Sequence, residues 1–232
     1  MIGYAISATK ANRLYWLGRY AERVYISLHL LRRYYDRMID GDSKDEEIEY
    51  YKRIDASCTY PDAKSFKLGY MYDKKNPSSL ISGIEQANDN AIVLREEIMS
   101  ETFSYIQLSL CHIQKEADLQ DENINNLQCI TDYLLAFWGS IDERVFDERI
   151  RNLLRMGKLV ENIDMHIRFN YPYMRIREAY DALKKCSDCE ERIFDPIMLK
   201  QLDELITEDE YNVDDLNYKN KVLKYINHLV LL

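Results

Sequence analysis

From Ala8 to Ile39 the chain reads ATKANRLYWLGRYAERVYISLHLLRRYYDRMI, a stretch with no proline and a single glycine, Gly18. Leu14, Leu17, Ala21, Val24, Leu28 and Leu31 recur at three- and four-residue spacing, the period of an amphipathic α-helix. The opposite arc carries Asn12, Trp16, Arg19, Arg23, Ile26 and Leu30, with Glu22 at its margin. A helix lying on a surface turns a polar back to water. One whose back mixes Trp, Ile and Leu with arginines is contacted from both sides, so this helix is expected at the centre of the fold. Arg19, Glu22 and Arg23 are then expected to be partly buried. Buried guanidinium groups need carboxylates or carbonyls, because an unpaired buried charge costs several kcal/mol.

Outward from this helix the same period persists. Gly41 offers a stop, and Ser43 with Glu46 forms a capping box for a second helix reaching about Ala56. Residues 57–77 read as a connector with a turn of helix around Ser65–Met71. Ser78 or Ser79 caps a third helix through Ile98, and Ser100 a fourth to about Ala117, unless the two form one kinked element. A fifth is predicted from about Asp121 to Phe137, broken by Gly139-Ser140, and a sixth from Asp147 to Phe169. Pro172 precedes a seventh over Met174–Cys186. Asp195-Pro196 pairs an N-cap with Pro at the first helical position and starts an eighth to Ile206; Asp214–Leu231 is the last. No segment alternates with period two long enough for a strand. The reading is all-α: a single-domain helical bundle of about eight or nine helices spanning residues 1–232, with a long central N-terminal helix.

Composition narrows the class. Seven Gly and four Pro among 232 residues are far below the average usage of ~12%, which disfavours collagen-like, low-complexity and turn-dense β folds. With 47% hydrophobic residues, disorder is disfavoured too. The net charge of −9 argues against a general nucleic-acid binder, which needs a basic footprint. The sign is uneven. Residues 1–40 carry Lys10, Arg13, Arg19, Arg23, Arg32, Arg33 and Arg37 against Glu22, Asp36 and Asp40, whereas 186–215 is strongly acidic. A basic helix packed on acidic parts of its own chain accounts for this. The N-terminus shows no signal peptide, no apolar run approaches the ~20 residues of a membrane span, and five irregularly spaced cysteines fit reduced thiols. A cytoplasmic protein with no membrane partner is expected.

Few residues suggest chemistry of their own. None of His29, His112, His166 or His228 has Glu three residues before it, so the Glu-x-x-His pairs of a di-metal bundle are missing. Cys186-Ser-Asp-Cys189 is a lone CxxC without further ligands for a closed zinc site. There is no phosphate loop, dinucleotide fingerprint or nucleophile elbow. No metal and no cofactor are expected. The segment Leu17-Gly18-Arg19-Tyr20-Ala21-Glu22-Arg23 has an echo in Met156-Gly157-Lys158-Leu159-Val160-Glu161-Asn162, where Gly157, Glu161, Asp164 and Arg168 share one helix face. Two such helices could cross at Gly18 and Gly157, pairing Arg19 or Arg23 with Glu161, Asp164 or Asp89. The Arg19/Glu22/Arg23 cluster is compatible with a structural ion-pair network or with a site for an anionic ligand such as a peptide carboxylate or acyl phosphate. It is also compatible with a catalytic pocket using Glu22 or Glu161 as general base.

The segment Ala11-Asn12-Arg13-Leu14-Tyr15-Trp16-Leu17-Gly18-Arg19-Tyr20-Ala21-Glu22-Arg23 closely resembles the opening of the alpha-E domain family, bacterial all-helical proteins named for a Glu-Arg motif. The resemblance continues at Pro77-Ser78-Ser79-Leu80, at Ala87-Asn88-Asp89-Asn90-Ala91 with Arg95 and Glu101, at Phe146-Asp147, and at Met156-Gly157-Lys158 with Glu161 and Asp164. It is strongest over residues 5–170, with 171–232 similar only in being helical. The chain departs from the family pattern at Asn88, Asp89, Ile92, Phe103, Lys158 and Asn162, which makes it a divergent member. Arg19, Glu22, Arg23, Asn90, Arg95, Glu101, Glu161 and Asp164 match the family pattern and, with Asp89 added as a candidate ion-pair partner, make up the expected ligand-binding or structural polar cluster. The resemblance implies a setting beside circularly permuted ATP-grasp enzymes and transglutaminase-like peptidases, hence amide or peptide bond formation. The expected role is an accessory, non-catalytic helical protein acting with an ATP-grasp amide ligase. The alternative is an enzyme of the same pathway that uses the Arg/Glu cluster for amide or acyl transfer.

Overall fold

In a computed structural model, which describes residues 6–40, 53, 63–186 and 193–232, the proline-free opening forms one helix, α1, over Ala8–Asp40. Both arcs of α1 are covered: Leu14, Leu17, Ala21 and Leu28 on one side are fully buried, and Arg19, Ile26 and Leu30 on the other are buried. The all-α class read from the periodicity is the class of the fold. The chain divides into two compact units, one of residues 1–19 with 146–232 and the other of residues 20–145.

The first unit joins the start of α1 to α7 (Glu148–Arg168), α8 (Tyr173–Cys186), α9 (Pro196–Leu205) and α10 (Leu216–Asn227). Asp147 caps α7 by accepting from the Arg149 amide. The turn from α7 to α8 is a Schellman motif with Asn in the left-handed position: Asn170 has φ 55°, and the Tyr171 and Asn170 amides donate to the carbonyls of His166 and Ile167. Pro172 follows and bars further helix. The Asp195 carboxylate accepts from the amides of Ile197 and Met198, with Pro196 at the first helical position, as the sequence predicts. The last helix is shorter than the predicted Asp214–Leu231. Val230 instead pairs in extended backbone with Phe194, and the Leu231 amide donates to the Ile193 carbonyl at 2.8 Å.

The second unit contains the rest of α1, α2 (Ala63–Tyr72), α3 (Leu80–Val93), α4 (Arg95–Ile98), α5 (Ser100–Leu119), a 3-10 turn (Ile124–Leu127) and α6 (Gln128–Arg144). Ser79 caps α3 by accepting from the Ser82 amide. A Cβ on Gly83 would come within 2.7 Å of the Val24 side chain, so α3 lies tight against α1. Several expected boundaries move. The turn of helix expected at Ser65–Met71 lengthens into α2, where Phe66 and Tyr70 stack across one buried face. The expected third helix is divided at Leu94, and the expected fifth begins with the 3-10 turn. Gly139-Ser140 does not end α6. Gly139 faces open space, where its only cost is helix propensity, and buried Ser140 shares a 2.7 Å hydroxyl contact with Thr102 of α5. The predicted Ser43/Glu46 helix, Cys58 and Cys189 lie outside the described residues. No described helix is long and apolar enough to cross a membrane.

Candidate functional site: a buried polar network

The site begins with two glycines. A Cβ built on Gly18 of α1 would overlap the Leu154 carbonyl oxygen of α7 and sit 3.2 Å from the Lys158 nitrogen. A Cβ on Gly157 of α7 would overlap the Tyr15 carbonyl oxygen of α1 and sit 2.9 Å from the Arg19 nitrogen. Backbone therefore meets backbone, and neither helix tolerates a side chain at the crossing. This is the crossing that the sequence echo predicts.

Close approach places Arg19, one residue past Gly18, opposite Glu161, one turn past Gly157. Arg19 Nε donates to Glu161 Oε2 at 2.8 Å, and Nη2 stands 2.8 Å from the same oxygen. Arg19 Nη2 also donates to Asn227 Oδ1 of α10 at 2.8 Å. The other end of that carboxamide continues the chain of bonds. Asn227 Nδ2 donates to Asp164 Oδ1 at 2.6 Å and to the Leu223 carbonyl at 2.8 Å. Arg168, one turn along α7, closes the array by donating Nε to Asp164 Oδ2 at 2.6 Å. Two arginines thus meet two carboxylates through one amide, and the formal charges cancel.

Burial makes this geometry consequential. Arg19 is 4% exposed, Asp164 2% and Glu161 0%. The Arg19 guanidinium also lies 5.1 Å from the Trp16 ring centroid and 5.9 Å from that of Tyr15, on the preceding turn. Burial by itself pushes the Asp164 carboxyl upward. The Arg168 guanidinium, the Asn227 amide and Arg19 outweigh it and hold Asp164 below its ordinary value. Burial pushes the Tyr15 phenol up against the opposing pull of Arg19, so Tyr15 stays neutral at physiological pH.

Of the residues anticipated for the cluster, Arg19, Glu161 and Asp164 are brought together. Glu22 is buried one turn further along α1 and Arg23 is half-buried. Asp89, Asn90, Arg95 and Glu101 belong to the second unit, on α3, α4 and α5. The inward face of α3 is taken by Leu80, Ile81, Ile84, Ala87 and Ala91, which leaves Asp89 exposed. The Asn90 amide donates to the Gln86 carbonyl of its own helix, Arg95 Nε donates to Ser100 Oγ at 3.0 Å, and Glu101 is exposed in the first turn of α5. Asn227 is the member that sequence reasoning missed. A lone Asn near the end of a helix carries no signal until the partner helices are in place. Among the described residues, no group of three or more His, Cys, Asp or Glu side chains could hold a metal ion.

The family model of Alpha-E, described as a predicted alpha-helical domain with a conserved ER motif, matches residues 7–190. This chain belongs to the Alpha-E family. The comparisons find no match among curated proteins or solved structures. Within the Alpha-E match, Glu22-Arg23 is the Glu-Arg pair with a buried acid, whereas Glu143-Arg144 and Glu148-Arg149 are exposed at helix ends. The Alpha-E match stops short of α10. The network around Arg19 therefore draws one of its members, Asn227, from beyond the matched stretch.

Proposed function

We propose that this Alpha-E chain is an accessory, non-catalytic module of amide or peptide bond formation, acting beside a circularly permuted ATP-grasp enzyme. The observation that carries the reading is the pairing of the network's buried charges within the fold. Arg19, Glu161, Asp164 and Arg168 spend their charge on one another and on Asn227. Such an array supports helix positioning more readily than turnover, because a reacting acid or base must be able to exchange partners with a substrate. The ATP-grasp setting comes from the family resemblance.

The test is co-expression with the ATP-grasp protein encoded nearby, followed by size-exclusion chromatography at low and high salt. Co-elution that weakens with salt, and no ATP hydrolysis by the purified chain, are the expected outcomes. Separate elution at every salt concentration, together with turnover of a small-molecule substrate by the isolated chain, would refute the proposal and favour the enzyme alternative.

A further inference from the structure

We propose that the outward stripe of α3 and α4 is a docking surface for a basic, amphipathic segment of a partner protein. The inference rests on the accessory reading above and names a surface that the partner would use.

The two helices act as one surface. The Leu94 amide donates to the carbonyls of Asn90 and Ala91, and the Leu94 carbonyl accepts from the amides of Glu97 and Ile98. Helical bonding therefore runs through the division between them. Asp89, Ile92, Val93 and Glu96 stand at i, i+3, i+4 and i+7, the spacing of a single helix face. Their exposure is unlike that of the opposite face, where Ala87, Ala91, Leu94 and Ile98 are buried. Ile92 is 55% exposed and Val93 51%, and Met99, three residues after Glu96, is 43% exposed. Single exposed apolar residues need no explanation. Three in one short segment, two of them adjacent and β-branched, form the apolar centre of a patch.

The rim decides the occupant. Asp89, Glu96 and Glu101 are exposed, and among the described residues their carboxylates make no ion pair or side-chain hydrogen bond. The nearby cation, Arg95, is turned to Ser100. An apolar centre inside an anionic rim complements apolar anchors flanked by Lys or Arg. A second copy of this chain, with its net charge of −9, would bring like charge to that rim. Nucleic acid and anionic lipid would be repelled for the same reason.

The experiment uses the full chain and two variants, Ile92→Ser/Val93→Ser and Asp89→Lys/Glu96→Lys, each first shown to melt like the parent. The probe is a synthetic Leu/Lys amphipathic helical peptide, with its Leu/Glu counterpart as control. Backbone amide NMR shifts report the footprint, and titration reports affinity. The expected result is a footprint within residues 86–101 and no binding of the Glu peptide. Each variant should weaken Lys-peptide binding by about tenfold or more, and salt should weaken it in the parent. A footprint centred on Glu208–Glu210, or an affinity unchanged by both variants, would overturn the proposal. Capture of anionic vesicles by the parent and not by the variants would reassign the stripe to lipid and overturn it equally. Co-elution of both variants with the ATP-grasp protein would leave the accessory reading standing while removing this surface from it. Peptide binding at the stripe without any ATP-grasp association would do the reverse.

Discussion

Replacing Arg19 with Ala is expected to be among the most costly single truncations in the first unit. The side chain places two nitrogens within 2.8 Å of Glu161 Oε2 and one of them within 2.8 Å of Asn227 Oδ1. Truncation leaves the fully buried Glu161 carboxylate without its cation, and removing one partner of a buried pair costs about 3–5 kcal/mol. At ~2–4 °C of melting temperature per kcal/mol for a chain of this size, the expected loss is about 6–20 °C. The assay is thermal and urea denaturation followed by far-UV circular dichroism. The informative control is Arg19→Met with Glu161→Leu, which removes both charges and keeps apolar volume. Exchanging a buried pair for packed apolar groups is often neutral, so the double variant should recover much of the loss. Asn227 Oδ1 would still lack its donor, at about 1–3 kcal/mol, so recovery should be incomplete. An Arg19→Ala protein within about 1 kcal/mol of the parent would refute the network as a stabilising core. So would a double variant no more stable than the single one.

The glycines should part company under the same substitution. Gly157→Ala drives a methyl into the Tyr15 carbonyl and should destabilise by at least about 1–3 kcal/mol, whereas Gly139→Ala meets nothing within 4 Å and should gain up to ~1 kcal/mol; paired urea melts compare them. Asp164 is held below its ordinary value, so the stability it contributes is present at neutral pH and is lost as pH falls through its folded-state value. Asn227→Ala removes one of the groups holding it down and should move the acid-unfolding midpoint upward, as read by circular dichroism against pH. His166 is lowered from 6.5 to about 4, first by burial and then by Arg175, and its ring stacks on Tyr171. The unfolded chain therefore binds a proton that the folded chain refuses between those values. Stability should fall as pH drops from 6.5 toward 4, and His166→Phe should flatten that part of the profile.

Much of this protein is written locally. The three- and four-residue spacing of Leu14 through Leu31 dictates a helix, and apolar residues on both arcs place it inside; each is a property of one segment read at one period. The paired Gly-x-x-x-Glu and Gly-Arg patterns also point to a crossing and to Arg19 against Glu161, because a glycine in a long helix is tolerated mainly where something must come close. Local patterns do not say how close the approach is: Gly139 faces open space and Gly157 a carbonyl oxygen, a difference set by the neighbouring helix. The same holds for polar residues. Asp89 and Asp164 are both helical aspartates, and packing sends one to the surface and the other into a network. Asn227 lies 208 residues from Arg19 along the chain, and its carboxamide acquires meaning only when α10 docks and sets a donor and an acceptor between Asp164 and Arg19. Periodicity fixes what each helix is because its hydrogen bonds are local. Partner choice for a buried charge is decided by the elements that exclude water from it, and those meet only in the tertiary structure.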